Sequence, residues 1–241
     1  MISIGQTLKG RLSIYSVVKE LHWAADNGGV YLSLGHWRLE NEVAVLKRYQ
    51  SESPLFRPLI DEIVEPNDPP SILLAYRDSD LLEESNRKRL SRLEIKQVAR
   101  KVLSALRILH RDGMVHTGLQ VLSLLYGGGF HFFNPANEGI KTDNDEYELT
   151  VLHRMYRYFG PFPQSYQDIA DDNAAAVINY INSSGPPAKP YHLVTRREIL
   201  PADKDFVLKI MKLDPRDRPT AEQLLSDPWF TEESEDTRGP L

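Results

Sequence analysis

Leu103-Ser-Ala-Leu-Arg-Ile-Leu-His110-Arg-Asp-Gly-Met-Val-His116-Thr-Gly-Leu-Gln120 runs directly into Val121-Leu-Ser-Leu-Leu-Tyr126-Gly-Gly-Gly129-Phe-His-Phe-Phe133, and the fold turns on how this stretch is divided. Upstream of it, Ser91-Arg-Leu-Glu94 has the spacing of a capping box, in which each side chain satisfies the other residue's free backbone amide at a helix start. The helix that follows is predicted to turn Ile95, Val98, Ala99, Val102, Leu106 and Leu109 to the core on a 3.6-residue repeat. Asp112-Gly113 then reads as the turn that ends it. Met114-Val115 follows as a short apolar strand leading to His116, and after Gln120 comes an apolar run from Val121 to Tyr126.

The chain has 241 residues, 41% of them hydrophobic, which suffices for one large domain or two small lobes with a real core. A net charge of −5 argues against a general binder of nucleic acid or of anionic membrane, both of which call for a basic surface. With no cysteine, there is no disulfide framework, no thiolate nucleophile and no cysteine-ligated zinc. No charged N-terminal segment precedes an apolar core, and no run approaches about 18 apolar residues, so the expected setting is cytoplasmic or nuclear.

Before the deciding stretch, residues 1 to 36 read as strands and turns, with Gly10 in a hairpin. Leu39, Val43 and Leu46 set a helix over residues 37 to 50, on which Glu42 reads as an exposed residue. Pro54, Pro58, Pro66 and Pro69-Pro70 mark a turn-rich segment. Ser71-Ile-Leu-Leu-Ala-Tyr76 reads as one buried strand, and the polar residues 78 to 86 as a crossing to a second lobe. Beyond the deciding stretch, residues 134 to 146 form a polar loop, and Leu152, Met155, Tyr156 and Phe159 mark an amphipathic helix. Helix and loop are expected over residues 173 to 191, and a further helix over 201 to 213 with Phe206, Val207, Ile210 and Met211 inward. Thr220 and Gln223 make a second capping box, and the acidic segment 231–241 is expected to be disordered.

Several of these motifs together resemble protein kinases. Met211-Lys-Leu-Asp-Pro-Arg-Asp-Arg218-Pro-Thr220-Ala-Glu-Gln-Leu-Leu-Ser-Asp-Pro-Trp229-Phe230 closely follows the ending of the kinase domain, and Phe159-Gly-Pro-Phe-Pro163 resembles a Leu-Gly-x-Phe-Pro turn found in one kinase group. In the deciding stretch, Leu-His is followed six residues on by His116, which the resemblance aligns with the His of His-Arg-Asp; Thr117 then takes the Arg position and Gly118 that of the catalytic Asp. The literal His110-Arg111-Asp112 is set aside as a decoy, because the helix still runs at Leu109. Gly10-Arg-Leu12-Ser-Ile-Tyr15-Ser-Val17 lies over the glycine-rich pattern and keeps its first Gly and its Val. Ser33, in Val30-Tyr-Leu-Ser33, replaces the phosphate-neutralising lysine, and Glu42 takes the position of that lysine's partner.

The resemblance implies a two-lobed α+β kinase-like fold: a small β-rich lobe with the hinge over 1–80, and a mainly helical, incomplete lobe over 81–230. The second metal ligand, the activation segment, Ala-Pro-Glu and Asp-x-Trp are missing, as though removed at the Gln120-Val121 joint. The family uses ATP and magnesium, but none is expected here. Gly10, Val17, Ser33 and Glu42 are degenerate nucleotide-site positions, His116 and Gly118 occupy an altered catalytic loop, and no metal ligand remains. With the Glu of Ala-Pro-Glu absent, Arg218 is expected either to find another carboxylate or to stay at the surface. Three functions stay open: an inactive kinase-like domain that acts by binding a protein partner, an active serine/threonine kinase whose full form contains the missing segment, and an α+β scaffold without a nucleotide site. Val121 to Phe133 resembles the C-terminal part of the next large kinase helix, and its truncation predicts marginal stability.

Overall fold

The computed structural model describes residues 2–19, 37–68, 70–79, 81–114, 133, 135, 139–141, 144 and 146–232, without the side chains of 37, 38, 82 and 86. Ser33, His116, Gly118, the Gln120-Val121 joint and residues 233–241 lie outside the described residues. The chain divides into two compact units, Met1–Asp80 and Leu81–Leu241. No helix among the described residues is long and apolar enough to cross a membrane.

Among the described residues, the first unit is an antiparallel sheet with one helix. Strands β1 (Thr7–Gly10), β2 (Ile14–Ser16), β3 (Leu59–Glu65) and β4 (Ile72–Leu74) lie in the order β2-β1-β3-β4. Helix α1 (Trp37–Tyr49) buries Leu46 and Tyr49, which join Leu8 and Ile63 in the core of this unit. The turn-rich segment expected before Pro70 instead contains β3, a strand of seven residues. Its apolar alternation is inverted, which is why it does not read as a strand: Ile60 and Val64 are exposed, whereas Asp61 points inward with Ile63. The buried strand expected over 71–76 is shorter and only half-buried, β4 lying at the end of the strand order with a partner on one side among the described residues.

The second unit is helical. Of residues 78 to 86, read as a polar crossing, those from 81 on belong to helix α2 (Leu81–Arg87), where Arg87 pairs with Glu83 and Glu84 one turn away. Helix α3 (Arg92–Arg111) starts at the expected capping box. Its core face runs through Arg92, Ile95, Lys96, Ala99, Leu103, Leu106 and Leu109; Val102, expected inward, is 39% exposed, and Leu103 takes its place. The helix ends at Gly113, whose φ of 72° any side chain would oppose; its N–H donates to the His110 carbonyl and that of Met114 to the Leu109 carbonyl. Helices α4 (Glu146–Phe159), α5 (Asp172–Asn182), α6 (Pro201–Ile210) and α7 (Ala221–Leu225) complete the described elements with short 3-10 turns. Tyr156, Phe162, Ile178, Ile181 and Leu213 form one apolar cluster. Against α3, Phe206 stacks on Trp229 with ring centroids 4.0 Å apart.

Candidate functional site

The turn between β1 and β2 carries the polar site of the first unit. Because β1 and β2 are joined by only three residues, their backbone amides crowd to one side. Asp61, projecting from β3, takes all of them: the N–H groups of Arg11, Leu12 and Ser13 donate to its carboxylate at 3.1, 3.0 and 3.2 Å, and the Tyr15 hydroxyl at 2.9 Å. Burial acts to raise the pKa of Asp61, but the hydrogen bonds from Leu12, Glu62, Tyr15 and Ser13 outweigh it and hold the group below its ordinary value. Burial and the same carboxylate push the Tyr15 hydroxyl up. Gly10 owes its identity to this contact, since a Cβ there would sit 2.1 Å from an Asp61 oxygen.

Val17 is half-buried just past β2, at the end of the hairpin away from the turn, its N–H donating to the Gln6 carbonyl at 2.9 Å. Glu42 is exposed on α1 and has no partner among the described residues. Glu62 engages Lys47 at 2.6 Å and Arg11 at 3.4 Å, and Glu65 engages Lys9 of β1 at 3.3 Å.

In the second unit, His110 and Arg111 occupy the last turn of α3 and Asp112 its C-cap, so the literal His-Arg-Asp is a helix end. Two polar clusters here escape sequence reading. Asp214, almost fully buried, accepts from Ser165 at 2.7 Å and from the guanidinium and amide of Arg216, which hold its pKa well below the usual carboxylate range. Arg92 donates to the buried Asp203 at 2.8 Å and to Glu232 at 3.0 Å, and Trp229 donates its indole N–H to the same Asp203 oxygen at 2.6 Å. Lys96 donates to the Glu232 carbonyl at 2.8 Å, and burial lowers its pKa. Of the segment 231–241, residues 231 and 232 are described, and Glu232 is held there by the buried Arg92 and Lys96. Between α3, α6 and α7, an apolar cleft of about 340 Å³ is lined by Val102, Leu103, Leu106, Met114 and Leu224.

No family model matches the chain. Among curated proteins, it is similar to a calcium and calcium/calmodulin-dependent serine/threonine-protein kinase of Oryza sativa subsp. japonica, 27% identical over 59% of this chain and 32% of that protein. It is also similar to the calcium/calmodulin-dependent protein kinase type I of Schizosaccharomyces pombe, 26% identical over 80% of this chain and 66% of that protein. A solved MAP kinase from Leishmania major superposes over 80% of this chain and 68% of its own, with a TM-score of 0.50 at 16% identity. The chain is protein-kinase-like. The match covers 32% of the rice protein and 41% of a calcium/calmodulin-dependent protein kinase of Emericella nidulans, so it spans less than half of the length of either.

Kinase likeness implies ATP and magnesium, and the described hairpin does not fit the phosphates. Every amide at the turn already has an acceptor, and that acceptor carries a negative charge. Arg218, expected to find another carboxylate or to stay at the surface, is half-buried and donates to the backbone carbonyls of Lys212 at 2.6 Å and Leu213 at 3.3 Å, with Asp214 close enough to act on its charge. Burial lowers its pKa and outweighs the attraction of Tyr166 and Asp214.

Proposed function

We propose that this chain is a kinase-like domain that does not transfer phosphate and acts by binding a protein partner in the cytoplasm or nucleus. The observation that carries the reading is the pair of replacements at Ser33 and Gly118, which withdraw the lysine and the aspartate of the family's pattern. Phosphoryl transfer is mostly positioning and charge neutralisation, so losing a catalytic base alone costs about 10²–10⁴ in rate. The kinase names of the relatives belong to those proteins, and only their fold and ancestry bear on this one.

The test is thermal melting with ATP in the presence and absence of magnesium, alongside phosphate transfer to generic protein substrates by the unmutated chain and by the Ser33→Lys, Gly118→Asp double variant. No magnesium-dependent shift and no transfer above background are expected from either. Transfer that chelation abolishes would overturn the reading. The abrupt Gln120-Val121 joint favours a second reading, an active kinase whose full form contains the missing segment. Sequencing the transcript across those two codons separates the two, and an inserted catalytic segment would support the second.

A further inference from the structure

We infer that Asp61 is a built-in anion that shuts the β1–β2 turn against external anions, and that the turn accepts an external anion only when this carboxylate is withdrawn. Three consecutive backbone N–H groups aimed at one point make an anion-binding concavity whatever their side chains. Here the amides of Arg11, Leu12 and Ser13 converge on the Asp61 carboxylate within 3.2 Å, and the Tyr15 hydroxyl adds a fourth donor. Asp61 is only 4% exposed, so the concavity is filled rather than capped.

The sheet delivers the carboxylate to that point. Gly10 pairs with Ile63 in the antiparallel register, and the Arg11 N–H donates to the Glu62 carbonyl at 3.1 Å, which sets residue 61 directly under the turn. An acceptor tethered in this way competes at a high effective concentration, and it has already lost the freedom that an incoming ligand would have to give up. Its charge also repels any second anion, while Glu62 occupies Arg11 and Lys47. Gly10 keeps the arrangement possible by leaving room for the Asp61 oxygen.

The probe is inorganic pyrophosphate without magnesium, titrated against sodium chloride of matched ionic strength, with the amide NMR resonances of Arg11, Leu12 and Ser13 as the readout. The full chain should show no saturable shift. Asp61→Ala should show one, with a dissociation constant at least tenfold below any value obtained for the unmutated chain, and Asp61→Asn should fall between them. Equal behaviour of Asp61→Ala and the unmutated chain would overturn the inference. If Asp61→Ala does not fold without the anion, restoration of its cooperative melt by pyrophosphate supports the inference. If pyrophosphate fails to restore it, Asp61→Asn decides, and unshifted amides in that variant overturn it. The inference deepens the reading of a site without nucleotide and fails separately from it: ATP binding by the unmutated chain sinks that reading, whereas a silent turn in the variants sinks only this one.

Discussion

Glu94 holds three donors at once, Lys88 on one oxygen and the Ser91 amide and hydroxyl on the other, each at 2.8 Å. The Lys88 hydrogen bond leads in lowering its pKa from 4.5 to about 2, with Ser91 next. A carboxyl group depressed in the folded state contributes stability that is present above its unfolded pKa and lost as pH falls toward the folded one. Acidification from about 4.5 to about 2 should therefore lower the urea midpoint, and Glu94→Gln should flatten that part of the profile while lowering the midpoint at neutral pH. Equal acid slopes in the two proteins would refute it. Gly113 offers a second test at this scale: its φ of 72° opposes a Cβ, so Gly113→Ala should cost about 1–2 kcal/mol in chemical denaturation.

Helix α3 shows how far the residues speak for themselves. Its start, its end and most of its core face follow from the capping box, from Asp112-Gly113 and from the 3.6-residue repeat, all of which are local signals. Arg92 and Lys96 on the same face do not, because charged side chains read as solvent-facing until their partners are known. Those partners lie 111 and 136 residues away, at Asp203 and Glu232. The candidate site was hidden in the same way: Gly10 was visible in the hairpin, but the Asp61 that explains it sits 51 positions later in a strand whose apolar alternation is inverted. Trp229→Phe should keep the stack on Phe206 but strip one donor from the buried Asp203, costing about 1–3 kcal/mol. Arg92→Met, which removes one partner of a buried ion pair, should cost more, about 3–5 kcal/mol. Equal midpoints for Arg92→Met and the unmutated chain would show the pair to be idle.

At the scale of the whole molecule, the two units bury separate cores, and the helical one leaves the apolar cleft beside α3. Apolar surface of this kind takes up hydrophobic dyes without unfolding. The native chain is expected to raise the fluorescence of such a dye, and Val102→Glu, at a position 39% exposed, should reduce it with little change in melting temperature. Undiminished dye binding in that variant would place the uptake elsewhere. The clamp on Glu232 also bears on the order in which the chain is made. Proteins emerge from the ribosome N-terminus first, at about 5–20 residues per second. Helix α3 is therefore synthesised well before the residues that neutralise its buried face. Until Trp229 and Glu232 emerge, Lys96 lacks both its ring contact, 5.5 Å from the Trp229 ring, and its hydrogen bond to the Glu232 carbonyl. A nascent chain halted before residue 229 would hold α3 with Arg92 able to reach Asp203 but with Lys96 still in water, and that face of the helix would be covered only once Trp229 and Glu232 had emerged.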